Sequence, residues 1–460
     1  MTLNDYIESI RGKNIGVVGV GVSNRPLIEL LAKGGCRVTA CDRASRETLG
    51  DYAGTLEELG VSLRLGDGYL DDLDFDLIFR TPGMHPGNSA LCRARERGAV
   101  VTSEMELFFS LCPCRTIAVT GSDGKTTTST LIAEILKVEG YTVWLGGNIG
   151  KPLLTEIPNM NSDDFAVLEL SSFQLHSMVC SPDVAVITNV SPNHLDVHPS
   201  YKDYIDAKKS VFINQRPDAL LVLNADNDIT RAMTGEAPGR VRTFSRRGRV
   251  DSGFYAQDGT IYQAEAGGDL AMVLTEEIRI PGQHNVENYM AAFCATQDFA
   301  GRRAWRTVVK SFLGVEHRIE FVRELDGVRY YNDSIASSPT RTIAGLRSFE
   351  QKVILIAGGY DKHIPFEPLG AEAPERVKAL FLCGATADKI RAAVVSAPGY
   401  DSEKLPIFTL TDFAETVNAA RAWAKPGDVI LLSPACAAFD QFKNFAERGR
   451  FFKKIVGEMN

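Results

Sequence analysis

Residues 118–130 read AVTGSDGKTTTST and place two glycines, a lysine and a run of hydroxyls within one short turn. Gly121 and Gly124 permit a tight backbone whose amide N–H groups converge on a phosphate. Lys125 sets a cation over the outer phosphates, and Thr126 offers a hydroxyl to Mg²⁺. The apolar run from Ile117 to Val119 predicts a strand leading into this loop. Leu131, Ile132, Ile135 and Leu136 predict a helix after it, whose N-terminus favours anions. The combination predicts ATP or GTP binding. The spacing is a shortened form: the first glycine of the usual phosphate loop would fall at Val119, and the first one present is Gly121. The competing reading is a glycine-rich turn with an exposed lysine.

Other residues could do chemistry nearby in sequence. Phe165–Leu170 (FAVLEL) reads as a buried strand, yet carries Glu169 and runs into Ser171 and Ser172. A carboxylate in an apolar strand is costly unless it is paired or metal-bound, or reaches solvent at the strand end. The strand Asp183–Thr188 leads into Asn189-Val190-Ser191-Pro192-Asn193-His194, which puts His194 where α/β proteins collect ligands; a structural histidine is the alternative. Lys208 and Lys209 fall on a helical pattern, Tyr201–Phe212, and spacing alone leaves both as solvated side chains.

These residues need a scaffold of alternating strands and helices. Asn14–Val20, a Gly19-Val20-Gly21 turn, a helix from about Pro26 and a strand Arg37–Cys41 ending at Asp42 outline a Rossmann-type βαβ unit. Asn24 stands at the third fingerprint glycine, so a turn that binds nothing, with Asp42 an ordinary strand-end acid, stays open. A later strand, Leu77–Phe79, precedes the turn Thr81-Pro82-Gly83. Gly146-Gly147-Asn148-Ile149-Gly150 reads as a flexible stretch suited to close ligand approach. Toward the C-terminus, strands Val328–Tyr331, Val353–Ile356, Ala379–Leu382, Ile407–Leu410 and Val429–Leu432 end in polar clusters. These are Asn332-Asp333-Ser334, Gly358-Gly359-Tyr360-Asp361-Lys362 and Ser433-Pro434.

The chain's 460 residues exceed one core, and 44% hydrophobic with 23% charged residues is ordinary for a globular protein. The predicted fold is α/β with three domains: a Rossmann-like one over 1–108, a central phosphate-loop domain with a mostly parallel sheet over 109–313, and a Rossmann-like one over 314–460. A net charge of −8 argues against nucleic acid as a partner, and no apolar run predicts a membrane span or a signal core. Nine cysteines, with Cys112 and Cys114 the one close pair, predict reduced thiols in a cytoplasm rather than a zinc site or disulfide framework.

TGSDGKTTT, LELSSFQL (168–175), NVSPNHLD (189–196), GQHNVEN (282–288), EHRIE (316–320), YYNDS (330–334) and LLSPACAAFDQFKNFAERG (431–449) occur in one order along the chain. Together they resemble the Mur ligase family over essentially the whole length, and LELSSFQL and the SPACAAFDQFKNF stretch are most similar to the members that add D-glutamate. The resemblance implies ATP, Mg²⁺, UDP-N-acetylmuramoyl-L-alanine and D-glutamate as ligands, and a monomeric cytoplasmic enzyme of peptidoglycan synthesis. It implies that the alanyl carboxylate takes the γ-phosphate to become an acyl phosphate, which the glutamate amine then attacks. By position, Lys125, His194 and Lys208 are the implied catalytic residues. Gly121, Ser122, Asp123, Gly124, Lys125, Thr126, Thr127, Asn285, Asn288, Arg318 and Asp333 are implied around ATP. Val22, Ser23, Asp42, Gly83, Asn148, Ser171 and His194 are implied along the UDP substrate, and Ser337, Lys362 and Phe445 at glutamate. Thr126, Glu169, His194 and a Lys208 carbamylated by CO₂ are the implied metal ligands. The chain departs from the family's pattern at Ile335, Ser337, Ala438 and Arg43. A folylpolyglutamate-type ligase, a binding protein that kept the fold and a hydride-transfer enzyme using the N-terminal glycines are the rival readings.

Overall fold

The computed structural model describes residues 1–193 and 197–459. An N-terminal parallel sheet comprises β1 (Asn14–Val18), β2 (Arg37–Asp42), β3 (Ser62–Leu65), β4 (Leu77–Arg80) and β5 (Val100–Thr102), in the order β3-β2-β1-β4-β5. The strand order reverses between β1 and β4, so the turns after these two strands share one edge. Gly19 has φ +91°, and a Cβ there would lie 2.6 Å from Thr81 Cβ, so this turn closes only with glycine. Asn24, where the fingerprint has glycine, is buried and donates from Nδ2 to the carbonyls of Val18 (3.2 Å) and Gly19 (2.9 Å). It binds the turn from within instead of making room for a ligand.

The central sheet has nine strands: β6 (Arg115–Thr120), β7 (Val143–Gly147), β8 (Phe165–Glu169), β9 (Val184–Ile187), β10 (Leu220–Asn224), β11 (Arg240–Ser245), β12 (Gly253–Gln257), β13 (Thr260–Ala264) and β14 (Leu270–Leu274). Their order is β14-β13-β12-β11-β10-β9-β6-β8-β7. From β7 to β12 the pairings are parallel, and β12 and β13 form an antiparallel hairpin around Asp258-Gly259. β6 lies between β8 and β9, so the loop that follows it opens at the sheet's switch point. Gly146 and Gly147 end β7, correcting the expected flexible stretch: a Cβ on Gly147 would lie 2.2 Å from the Glu169 carbonyl oxygen. The N-terminal and central sheets belong to one compact unit, Met1–Val273 with Glu287–Val308. Leu107, Phe108 and Leu111 share an apolar cluster with Leu154 and Ile157 within it.

A second unit comprises Leu274–Val286 and Val309–Asn460. Its sheet comprises β15 (Glu320–Leu325), β16 (Val328–Asn332), β17 (Val353–Ala357), β18 (Val377–Leu382), β19 (Ile407–Thr409) and β20 (Val429–Leu432). The order is β15-β16-β20-β17-β18-β19, parallel except for β15. Val353, Leu355, Val429 and Leu431 pack into one apolar layer, while Ile354, Ile356, Ile430 and Leu432 pack into the other. The two-residue period on strands buried on both faces explains why they read as continuous apolar runs.

Glu104, in the first turn of helix Glu104–Leu111, is buried, and its Oε1 has no hydrogen-bond partner among the described residues. Burial pushes its carboxyl up to about 7 from an ordinary value near 4.5, against a hydrogen bond from the Leu154 amide. The folded chain therefore keeps a proton that the unfolded chain releases as pH rises through this window, so the group subtracts stability progressively from pH 4.5 to 7 and by a constant amount above. Glu104→Gln is expected to match wild type at pH 4.5 and to exceed it at pH 8 by roughly 2–3 kcal/mol. Denaturant unfolding at the two pH values measures the difference.

Candidate active site

The strand β6 delivers the chain into residues 121–124, and helix Lys125–Glu139 begins directly after them. Gly121 (φ +149°) and Gly124 (φ +79°) make the turn. A Cβ on Gly121 would meet Thr188 Oγ1 at 1.9 Å, and one on Gly124 would meet Asn288 Oδ1 at 2.3 Å. The end of β9 staples the loop from outside. Ser122 N and Asp123 N donate to the main-chain and side-chain oxygens of Asn189, at 2.9 and 3.0 Å. Ser122 Oγ donates to the Ser191 carbonyl (3.0 Å), and Thr188 Oγ1 donates to the Asp123 carbonyl (2.5 Å). With the loop so fixed, the first-turn amides of the helix face one point, the arrangement that receives an anion.

Two lysines converge on that loop. Lys125 Nζ donates to the carbonyls of Gly121 (3.0 Å) and Ser122 (2.9 Å). Lys208 Nζ donates to the same Gly121 carbonyl at 2.8 Å, and lies 4.5 Å from the centre of the Tyr204 ring. Lys208 is 1% exposed, against the solvated side chain that spacing alone suggested. Burial first, and then the Lys125 charge, hold its pKa well below the ordinary lysine value. Lys209 behaves as expected of a surface lysine and pairs with Glu236 at 2.7 Å. The Tyr204 hydroxyl lies 2.9 Å from Ser122 Oγ, tying the lysine's helix to the loop.

On the β8 side the buried Glu169 is paired. Thr126 Oγ1 donates to its Oε2 at 2.7 Å, and Asn148 Nδ2 donates to its Oε1 at 2.9 Å. Residues 21 and 43 positions from Glu169 are thus gathered with it into one oxygen-rich group, of hydroxyl, carboxylate and amide. Ser171, one step beyond, caps the short helix Ser172–Leu175 and bonds Gln174. Thr127 is half-buried on the first turn, and Thr128 Oγ1 donates to Asn288 Oδ1 at 3.2 Å. His194 lies outside the described residues.

On the N-terminal sheet Val22 is exposed and Ser23 half-buried on the turn after β1. Gly83 is exposed on the turn after β4. Asp42 is more than a strand-end acid. Its Oδ2 accepts from Val20 N (2.5 Å) and its Oδ1 from Ala44 N (2.7 Å), so the carboxylate clamps the glycine turn.

In the second unit the three polar clusters read from the sequence end the neighbouring strands β16, β20 and β17. Asp333 is buried; it accepts from Ser433 Oγ (2.7 Å) and Ile319 N (3.3 Å), and burial pushes its carboxyl up to about 7. Lys362 is exposed, with Nζ 3.5 Å from Ser337 Oγ. The Phe445 ring is partly exposed and stands edge-on to His317. Arg318 is exposed, whereas Asn285 is buried and donates to the Pro281 carbonyl at 2.6 Å. The buried Arg448 was not singled out from the sequence. It donates to Ser334 Oγ and to the carbonyls of Ser334, Cys436 and Ala437, binding the end of β16 to the loop after β20. Tyr204 and Asn189 were missed as well. Tyr204 was findable, because it lies four residues before Lys208 and so on the same helix face.

Known proteins share this arrangement. The model of the Mur ligase middle domain matches residues 119–296, and that of the Mur ligase glutamate ligase domain matches 317–436. The chain is 52% identical over 457 residues to a UDP-N-acetylmuramoylalanine–D-glutamate ligase of Clostridium kluyveri, with 99% of each chain covered. It is 51% identical over 461 residues to the protein of that name in Acetivibrio thermocellus, again with 99% of each covered. Among solved structures, a UDP-N-acetylmuramoyl-L-alanyl-D-glutamate–2,6-diaminopimelate ligase superposes with a TM-score of 0.58 at 18% identity, covering 97% of this chain and 93% of that one. The MurF ligase of Thermotoga maritima, solved in complex with ADP, superposes at 0.55 and 17% identity, covering 98% and 97%. These two likenesses show a common fold.

Gly124 tests the phosphate loop directly. In Gly124→Ala the new methyl meets Asn288, and the left-handed backbone is strained as well. The affinity for a fluorescent nucleoside triphosphate is expected to fall ~10-fold or more, equivalent to about 1.4 kcal/mol. Equilibrium titration of the folded variant measures it.

Proposed function

The chain belongs to the Mur ligase family, and we propose that within it this protein joins D-glutamate to UDP-N-acetylmuramoyl-L-alanine at the expense of ATP. Identity of about one half to D-glutamate ligases along the whole chain supports that substrate pair over a folate-type ligase. The observation that carries the chemistry is the convergence on one phosphate loop of Lys125, the buried Lys208 and the Thr126–Glu169 pair. The enzyme works in the cytoplasm as a monomer.

A carboxylate is a poor acyl donor until one of its oxygens becomes a leaving group. Transfer of the γ-phosphoryl group to the alanyl carboxylate gives an acyl phosphate. The glutamate amine then attacks the acyl carbon, forming the C–N bond; the acyl C–O bond breaks, phosphate departs carrying the former carboxylate oxygen, and the amine loses a proton to solvent. Lys125 and the first-turn amides hold negative charge on the transferring phosphoryl group. Thr126 and Glu169 would hold the Mg²⁺ shared with ATP through hard oxygen donors, and His194 with carbamylated Lys208 would hold a second. Ions held by these residues would supply charge neutralisation at the phosphates.

Lys208 serves as a carbamate. A buried amine whose pKa is depressed gives up its proton more readily and so offers a lone pair to the carbon of CO₂; the N–C bond forms as one N–H proton is lost. This replaces a poorly solvated cation with an anionic oxygen donor. Asp42, Val22, Ser23, Gly83, Asn148 and Ser171 line the UDP substrate. Asn285, Asn288, Arg318 and Asp333 serve ATP, and Lys362 with Ser337 and Phe445 takes glutamate.

Phosphate release coupled to UDP-N-acetylmuramoyl-L-alanine and each glutamate enantiomer tests the reading; turnover with neither enantiomer, or with a neutral amino acid in preference, overturns it. Lys208→Ala is expected to lose at least ~10²-fold in turnover, with partial rescue by a small carboxylic acid, while Lys209→Ala stays within about twofold of wild type. An active Lys208→Ala enzyme removes the carbamate from the mechanism. Lys362→Ala is expected to raise the glutamate KM ~10-fold or more, leaving the KM values for ATP and the UDP substrate within about twofold. Steady-state kinetics with each substrate varied in turn separates these effects.

A further inference from the structure

Away from the phosphate loop, three histidines converge on one carboxylate within the first unit. His85 follows the turn after β4, and His176 ends the helix Ser172–Leu175. His198 precedes helix Tyr201–Lys209, whose first turn carries Asp203. His176 Nε2 lies 3.1 Å from Asp203 Oδ1 and 3.0 Å from Oδ2. His198 Nδ1 lies 2.6 Å from Oδ2, and His85 Nε2 lies 3.9 Å from Oδ1. The rings of His85 and His176 meet edge-on with centroids 4.2 Å apart. His85 Nε2 is buried and has no hydrogen-bond partner among the described residues. The chemistry assigned to the phosphate loop uses none of these groups.

We propose that His85, His176 and Asp203 form a zinc-binding site. One ligand atom from each lies within 4.8 Å of the others. The separations of 3.1 and 3.9 Å to Asp203 Oδ1 bracket the roughly 3.3 Å edge of a tetrahedron whose metal–ligand bonds are about 2.0–2.1 Å. Two imidazole nitrogens and one carboxylate oxygen are a donor set for zinc rather than magnesium, and three protein ligands leave the fourth position to water. The surrounding bonds orient the set. His198 donates from Nδ1 to Asp203 Oδ2, which leaves Oδ1 for the cation, and Ser172 Oγ holds His198 Nε2 at 2.9 Å. Two contacts have to open: His176 Nε2 gives up its hydrogen bonds to Asp203, and the Gly87 N–H donates to His85 Nδ1 at 2.9 Å. When the cation takes the His85 Nε2 lone pair, the imidazole proton moves to Nδ1 and that bond is given up. The bound ion would cross-link the turn after β4 to the helix that carries Tyr204 and Lys208.

The test is calorimetric titration of the chelator-stripped full chain with Zn²⁺, without nucleotide or Mg²⁺. One site per chain is expected, with a Kd below ~1 µM. Co²⁺ in its place should give the visible absorption of a tetrahedral site. His176→Gln and His85→Gln should each weaken zinc binding by ~10²-fold, while Glu169→Gln at the phosphate loop leaves it within about twofold. His85→Gln keeps the test decisive if His176→Gln does not fold, because His85 Nε2 makes no hydrogen bond among the described residues that the change would break. Zinc affinity unchanged in His85→Gln, affinity weaker than about 0.1 mM in wild type, or a loss that follows Glu169→Gln instead would each overturn the site.

Discussion

The carbonyl oxygen of Gly121 accepts from two lysine amines at once, and much of the central region is arranged around that sharing. Two ammonium groups on one carbonyl repel, and Lys208, with 1% of its surface exposed, has no water to screen the repulsion. Burial first, and then the Lys125 charge, loosen the proton at Lys208, while Lys125 keeps a half-buried position on the loop. The Tyr204 ring beneath Nζ and the Tyr204 hydroxyl on Ser122 hold the second lysine in place without supplying an anion. The groups in direct contact with Lys208 are an aromatic face and a carbonyl rather than a carboxylate, and the more distant Asp123 charge opposes its pKa shift only as the weakest of three causes; the proposed carbamate depends on that balance.

The same economy governs the acids. Glu169 sits at the end of an apolar strand, 2% exposed, and is held by a threonine hydroxyl and an asparagine amide rather than by a lysine. A lysine partner would neutralise it; neutral donors leave its charge to a cation. Asp42 spends both oxygens on backbone amides and thereby fixes the turn at the N-terminal switch point. Asp203 is held below the ordinary aspartate range: burial alone would raise it, but hydrogen bonds from His198 and His176 outweigh that. In each case the partner type, more than the acid, decides what the carboxylate can do.

Much of this was legible in the sequence wherever a local pattern carries its own cause. The phosphate loop needed only two glycines, a lysine and a threonine between a strand and a helix, and it stands where those residues put it. The parallel strands of the second unit were readable because strands buried on both faces are continuously apolar. Other elements were not: the edge strand β15 and the β12–β13 hairpin, which lies next to the edge strand β14, mix polar and apolar residues, and only tertiary pairing makes them strands. Lys208 was misjudged for a different reason. Tyr204, Ala207, Lys208, Val211 and Phe212 follow the spacing of a buried helix face, so the lysine stood on the apolar stripe all along. A general expectation about lysines outweighed the particular pattern. The histidine cluster could not be read at all, since its members lie 118 positions apart at the extremes and meet only through folding.

The departures at the proposed glutamate end show how one backbone geometry tolerates a changed side chain. Ala438 has no hydroxyl, but it is 2% exposed, and its carbonyl accepts from Phe442 N at 2.9 Å and from Gln441 N at 3.2 Å. The loop around it is shaped by main-chain bonds: Tyr360 N donates to the Ala437 carbonyl at 2.9 Å, and Arg448 gathers the carbonyls of Cys436 and Ala437. Ala435 even adopts a left-handed φ of +60°, a strain that such a network over-determines. A side-chain hydroxyl at 438 is therefore not what holds the loop. In the proposed function, recognition of an acidic amino acid at this end falls to the groups that reach outward, the Lys362 ammonium and the Ser337 hydroxyl beside it. Because Lys362 is exposed, its charge acts through water until a ligand excludes that water, so the strength of the contact depends on how completely the bound amino acid covers it.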